Sequence, residues 1–387
     1  MNCKKAYIDF YREHSISPVV QDIKNIDKHL QRREALYRHL GLLPSFFQHA
    51  EILEFGPGNG HNALYPLRLK PKAYDFVEGN EKACKELEKL IHFCDCSQTT
   101  VNITKTCIEE YCSSKRFDIV ICEGVIPTQN NPFAFAEHIA SFVKPGGVLI
   151  VSCADSVSFL SESLRRIVSF YLAPETLGFR DRIRILKPVF DSHLETLGGM
   201  SRSHEDWIID NMIQPFYGPL WSVSDAVQTL SSDFEVYYSS PHFITDWRWY
   251  KDIFGSERKY NERAVELYRS QLHCLLSCRH IFRPRRSEEN MKLKEMTDVI
   301  WKLTQAPHPV ISNKVLKIVG EYVRNISILS ADFSEELSEA FYDYNQLLKR
   351  LINGRDEVDF GRFSKLFGRG QQYLSFVKRK NGEIYAE

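Results

Sequence analysis

The chain lacks any run approaching the roughly 20 apolar residues that a membrane-spanning helix requires, so no membrane span is expected. It also lacks an excess of either charge: Lys plus Arg and Asp plus Glu number 50 each. No global field therefore draws it to a polyanion, and a nucleic-acid role would need a local basic patch. The segment with Arg279, Arg283, Arg285 and Arg286 is the candidate; it reads as a solvated helix end with cations near the C-terminal dipole, and no nucleic-acid partner is expected. The paired Cys-x-x-Cys spacing of a zinc site is missing as well. Of ten cysteines, the only close pairs are Cys94 with Cys96 and Cys274 with Cys278, which read as ordinary thiols. The opening MNCKKAYIDFYREH has charges where a signal peptide needs an apolar core, so a reducing, cytoplasmic compartment is expected. Repeats, low-complexity tracts and long linkers are lacking too.

What is present is an ordinary globular composition, 43% hydrophobic and 26% charged, over 387 residues. That length exceeds what one hydrophobic core usually supports, so a main domain with sizeable additions is expected. Residues 1–50 read as a helical cap. Asn25 or Asp27 starts a helix with Ile26, Leu30, Leu36 and Leu40 at roughly helical spacing, Gly41 ends it, and Pro18 breaks the chain before it.

From Glu51 the period changes. EILEF, a glycine turn, AYDFVEG, TVNITKT, FDIVICEG and GVLIVSC alternate with helical stretches from Glu81 and from Pro132. Nearly continuous apolar strands between helices imply a parallel sheet buried on both faces. Lys144 to Gly147 read as the turn into the last of these strands. The divisions expected are a core at 51–155, a helical insertion at 156–221, a core continuation at 222–255 with a helix capped by Ser222 or Ser224 and the strand FEVYYSSP, a bundle of four helices at 256–367, and a final core strand, QQYLSFVKRK, within 368–387. Ser287 and Ser334 are the caps expected in the bundle, and Pro307 to Pro309 a break.

The chemical signal is Glu54-Phe55-Gly56-Pro57-Gly58-Asn59-Gly60, set between an apolar strand and a helix. Glycines at the carboxyl end of a parallel strand permit a tight turn and close approach of a ligand to the backbone. A dinucleotide turn places its third glycine three residues after the second, and that position here is His61. Glu78 ends the next strand, where an acid can accept hydrogen bonds from both hydroxyls of a ribose. An isolated strand-end Glu would by default be a surface carboxylate; its partnership with the glycine turn gives it the functional reading.

These residues resemble the glycine-rich signature of class I methyltransferases, which use S-adenosylmethionine. The resemblance covers about Glu51 to Ser156, then FEVYYSSP and QQYLSFVKRK. It implies a Rossmann-like α/β sheet of seven strands, mostly parallel, with the last antiparallel. It implies that Glu54 lies near the methionine moiety, that Gly56, Pro57, Gly58 and Gly60 border the cofactor, and that Glu78 holds its ribose. Cys107 and Ile108 stand where members often show an Asp followed by a residue that touches adenine; Ile108 keeps the contact and the polar partner is replaced. Glu123-Gly124-Val125-Ile126-Pro127 stands where members place a motif near the transferred methyl. It departs from the Asn-Pro-Pro-Tyr pattern of base and glutamine methylation.

In-line methyl transfer needs a positioned nucleophile and exclusion of water, and a hydroxyl acceptor gains from a general base. His242, after the strand FEVYYSSP, is the first candidate for that base, with Asp246 as its orienter; a loop-satisfying role weighs equally. His204 and His193 are alternatives, and His138, within a helix, reads as structural. Glu123 and Asp155 end adjacent strands but lack a third ligand, so no metal is expected. Gln21 and Arg33 are candidates to reach cofactor or substrate, although helix-surface roles suit both. Trp247, Trp249 and Tyr250 suit an acceptor pocket or plain packing. The resulting expectation is methyl transfer to a hydroxyl or amine of a small molecule or saccharide. The alternatives are an NAD(P)-dependent oxidoreductase, against which His61 argues, and a non-catalytic nucleotide-binding scaffold.

Overall fold

The structure, a computed structural model, describes residues 6–14, 16, 21–94, 96–215, 218–305, 311–355 and 358–380. Pro18 and the Pro307 to Pro309 segment lie outside them. Three helices come first, α1 (Ala6–Glu13), α2 (Ile26–His39) and α3 (Pro44–Phe47). Asn25 caps α2 by accepting from the Lys28 N–H, and Gly41, at φ 72°, turns the chain away. Strand and helix then alternate through β1 (Glu51–Phe55), α4 (Leu64–Arg68), β2 (Ala73–Glu78), α5 (Glu81–Phe93), β3 (Thr100–Lys105), β4 (Phe117–Cys122), α6 (Pro132–Ala140) and β5 (Val143–Cys153). Next come α7 (Leu160–Leu172), α8 (Phe179–Glu195), α9 (His204–Ile208), α10 (Val223–Leu230) and β6 (Phe234–Ser240). The chain closes with α11 (Tyr260–Gln271), α12 (Ser287–Leu303), α13 (Asn313–Ala331), α14 (Glu335–Ile352) and β7 (Gln372–Lys378).

The seven strands form one sheet in the order β3-β2-β1-β4-β5-β7-β6. All pairs are parallel except those of β7, which runs antiparallel to β5 and to β6. This is the Rossmann-like α/β arrangement of class I methyltransferases. The central strands are continuous apolar runs because both faces are covered: Ile52, Leu53, Phe55, Ile119, Val120 and Ile121 are all buried. Edge strand β3 breaks that rule and alternates exposed and half-buried residues.

The described residues form two compact units. The sheet unit takes 1–154, 217–268 and 371–387; the helical unit takes 155–216 and 269–370. Most of α11 belongs with the sheet, for a physical reason. Buried Asn261 accepts from Val236 N at 2.8 Å and donates to Phe234 O at 3.0 Å, tying the helix to β6. In the helical unit, Leu316, Val319 and Val323 of α13 and Phe341, Tyr344 and Leu348 of α14 are buried. Arg165 is fully buried there, its guanidinium donating to the carbonyls of Ser161, Phe363 and Ser364.

Four local expectations change. The inner side of α2 is not purely the apolar stripe that its sequence suggests: Leu30, Leu36 and Leu40 pack on the core, but His29, Arg33 and Tyr37 are buried with them and Ile26 is 42% exposed. Residues 144–147 do not precede β5 but form an irregularity within it, where the register against β4 shifts. The basic segment precedes the N-terminus of α12, not a helix C-terminus. Arg286 pairs there with Glu289, and Arg279 donates to Lys365 O and Thr196 O, so these cations are engaged within the chain. Ser287 is the first residue of α12 rather than its cap, while Ser334 caps α14 as expected. Among the described residues no helix is long and apolar enough to cross a membrane.

Candidate cofactor site

β1 ends at Phe55 and the backbone turns at once through three glycines with positive φ, 67° at Gly56, 58° at Gly58 and 82° at Gly60. L side chains disfavour that region, and packing repeats the demand. A Cβ on Gly56 would stand 2.6 Å from Val125 Cγ2, and one on Gly60 2.3 Å from Leu87 Cδ1 of α5. Gly60 is therefore fixed by contact with α5, whereas Gly56 faces Val125 and Ile108. Glu78 braces the turn from the next strand: Oε2 accepts from Gly58 N at 3.0 Å and Oε1 from Asn80 N at 2.7 Å. Burial raises its pKa, against the opposing pull of the amides of Asn80, Gly58 and Gly79.

Side chains alternate across a strand, so register decides which of them meet. Glu54 is in register with Phe76 of β2 and Ile121 of β4. Glu78 and Glu123 lie two residues beyond those partners. The three acids therefore share one face at the carboxyl ends of three adjacent strands. Tyr74, on that same face of β2, donates its hydroxyl to Glu54 Oε2 at 2.5 Å.

α2 covers this face with a polar stripe at four-residue spacing. His29 Nε2 is bonded to His61 O at 2.8 Å, just past the glycine turn. Arg33 donates from Nη1 and Nη2 to the two Glu123 oxygens at 2.9 and 2.7 Å, and from Nη2 to Tyr37 Oη at 2.9 Å. Both side chains of that pair are only 8% exposed. Arg33 Nε is buried without a hydrogen-bond partner. Burial pushes Glu54 up to about 7, opposed by the Tyr74 hydroxyl and Arg33 and reinforced by Glu123 and Glu78. Burial would lower the Arg33 pKa, but Glu123 together with Tyr37 and Tyr373 outweighs it and holds the guanidinium well above its ordinary value.

The other residues singled out from the sequence fall in two groups. Cys107 and buried Ile108 follow β3 beside the loop after Glu78, where a Cβ on Gly79 would touch Cys107 Cα at 3.6 Å. His138, on α6, bonds Ile108 O at 3.0 Å, the structural part expected of it. The backbone of Gln21 bonds the His61 ring.

His242 and Asp246 are not brought together as a base and its orienter. Asp246 is exposed and bound to Arg248 through three side-chain hydrogen bonds of 2.6–3.0 Å. The exposed His242 instead stands against the rings of His39 and Tyr238. Both follow β6 at the sheet edge, three strand steps from β4, or about 14 Å along the sheet. Trp247, Trp249 and Tyr250 are 95%, 60% and 72% exposed, so none is core.

In the helical unit His193 accepts from Arg165 Nε and is pushed down to about 3 by burial, while His204 pairs with Asp191 at 2.8 Å. Asp155 turns its carboxylate onto Val157 N. Among the described residues no group of three or more His, Cys, Asp or Glu is placed to hold a metal ion. Sequence reasoning set Arg33 between a reach to cofactor or substrate and a helix-surface role, and did not single out Tyr74 or Tyr37. The period-2 register of AYDFVE against EILEF was the available signal for Tyr74.

A family model for a methyltransferase domain matches residues 27–183. The chain is 29% identical over 119 residues to malonyl-[acyl-carrier protein] O-methyltransferase 2 of Ilyobacter polytropus, a match covering 30% of this chain and 44% of that protein. It thus spans less than half the length of that curated relative. Among solved structures it is similar to the N-methyltransferase NodS of Bradyrhizobium japonicum in complex with S-adenosylhomocysteine, at 15% identity, covering 40% of this chain and 76% of that one, with a TM-score of 0.31. It is also similar to the CcbJ methyltransferase of Streptomyces caelestis, at 15% identity, 34% and 50% coverage and a TM-score of 0.27. Such superpositions carry no weight beside the strand order itself. With that order, the glycine turn at the end of β1 and the match over residues 27–183, the chain carries a methyltransferase domain on a Rossmann-like sheet.

Proposed function

We propose that the protein transfers the methyl group of S-adenosylmethionine to a hydroxyl or amine of a small molecule or saccharide. The observation that carries this reading is the glycine turn braced by the Glu78 carboxylate at the carboxyl end of β1 and β2. The residues present fit the cofactor. The Glu78 carboxylate, with about four acceptor sites, is held by the amides of Gly58, Asn80 and Gly79 and keeps acceptor capacity for ribose hydroxyls. Gly56, Pro57 and Gly58 form a turn with bare backbone, and Ile108 and Val125 are apolar groups beside Gly56. Arg33 Nε is a buried donor still lacking an acceptor.

On this reading Glu54, Gly56, Pro57, Gly58, Gly60, Glu78, Cys107, Ile108 and Glu123 make up the cofactor site. The bound cofactor supplies an electrophilic methyl, so this chain's residues have only to bind, orient and exclude water. α2 contributes by covering the face that carries the acids. Glu54, raised to about 7 and accepting the Tyr74 hydroxyl, is the group best poised to hold or release a proton there. Incubation with methyl-labelled S-adenosylmethionine and a panel of alcohols, amines and sugars tests the reading, and label should pass to one class of acceptor. Label that stays on the cofactor throughout, despite binding, would favour the scaffold alternative. Quenching of NADH fluorescence on titration would favour the oxidoreductase.

A further inference from the structure

Three carboxylates, Glu54, Glu78 and Glu123, end adjacent strands on one face, yet they are not equivalent. Glu78 is engaged by the backbone N–H groups of Gly58, Asn80 and Gly79, and Glu123 by the guanidinium of Arg33, through both oxygens. Glu54 takes only a neutral hydroxyl, that of Tyr74. We propose that Arg33 is a positioning residue of the cofactor site: its two-point grip cancels the charge of Glu123 and reserves Glu54 as the carboxylate that answers a cationic ligand group at the ends of β1 and β4. This rests on the methyltransferase reading and extends it, because the guanidinium comes from α2, outside the β1 to β5 elements that carry the signature motifs.

The geometry supports the assignment at each contact. α2 is fixed beside the acids by His29 on His61 O, and within the helix Tyr37 steadies the Arg33 guanidinium, whose centre lies 5.0 Å from the Tyr37 ring. The titratable and charged groups facing Glu54 are Tyr74 and Glu78 from β2, Cys122 and Glu123 from the end of β4, and Arg33 and Tyr37 from α2. Only one of these is a cation. Loss of Arg33 alone would leave two carboxylates to share one proton, raising the pH at which both ionise. Loss of the Glu123 charge alone would leave Arg33 acting on Glu54 and move its ionisation the other way.

Calorimetric titration of the full chain with S-adenosylmethionine, a sulfonium, and with S-adenosylhomocysteine, its neutral thioether, reads this out across the pH range around neutrality. The wild-type preference for the sulfonium should rise with pH through about 7, as Glu54 ionises. The midpoint should move up by about one pH unit in Arg33→Met, move down in Glu123→Gln, and return near the wild-type position in the double variant. Arg33→Lys, which keeps the charge and loses the fork, should move the midpoint up by less than Arg33→Met does. If Arg33→Met does not fold, the downward shift in Glu123→Gln set against Arg33→Lys still decides the matter. Binding of both ligands with midpoints that stay put, or that move together, overturns the role of Arg33 and leaves the methyltransferase reading standing. Binding of neither ligand overturns both. A purely structural pair would lower the melting temperature in each single variant and leave the midpoints alone.

Discussion

The two ends of the one sheet invite comparison. Where β2, β1 and β4 lie side by side, acids are buried, and their partners come from residues as distant as Arg33 and Glu123, 90 positions apart. Beyond the edge strand β6, by contrast, His242 and Asp246 are exposed, and Asp246 is satisfied by a residue two positions away. Both places lie at strand carboxyl ends and both carry chemically capable side chains. Burial and long-range partners separate them. A group held away from water by the fold has its pKa moved and its orientation fixed, which an exposed loop cannot do.

The contrast can be broken most forcefully at Glu123. Glu123→Ala leaves the Arg33 charge buried and unpaired, and urea unfolding should show a loss of about 3–5 kcal/mol. The glycine turn ranks next. Gly60→Ala combines a strained positive φ with a Cβ 2.3 Å from Leu87 Cδ1, and should cost about 2–3 kcal/mol in the same assay.

Glu54 gives an effect that depends on pH. Its pKa is raised in the folded protein from 4.5 to about 7, so the protonated form is favoured by folding. The stability that this provides is present below pH 4.5 and is lost as pH rises through about 7. Glu54→Gln should therefore gain stability relative to wild type across that window, by up to about 1.4 kcal/mol per pH unit, with no further change above it. At the sheet edge, His242→Ala and Asp246→Asn should alter stability by no more than about 0.5 kcal/mol and leave S-adenosylhomocysteine affinity unchanged. A large loss of affinity in either would erase the distinction between the two ends.

How far the sequence could be read follows the same divide. The glycine turn and Glu78 were legible because their relation is carried by local spacing: a strand, a turn, a helix and the end of the next strand. The alternation of strands and helices was legible for the same reason, down to the closing pair β6 and β7. Strand order is not local, however. Nothing in SSPHFITDW says that β6 lies at the edge, so the rule that sites gather at strand carboxyl ends pointed equally to His242 and to Glu54. Arg33 was obscured differently. The apolar positions Leu30, Leu36 and Leu40 do pack on the core, but His29 and Arg33 are buried beside them through tertiary contacts with the turn at His61 and with Glu123, which helical periodicity cannot report.

The central claim is that bare backbone after β1, braced by Glu78, holds an adenosyl ligand. Titration calorimetry of S-adenosylhomocysteine against the wild type and Glu78→Ala tests it most directly. Tight binding to the wild type, weakened by about tenfold or more in the variant because a charged acceptor is lost, is the predicted result. Equal affinity in the two proteins would contradict it.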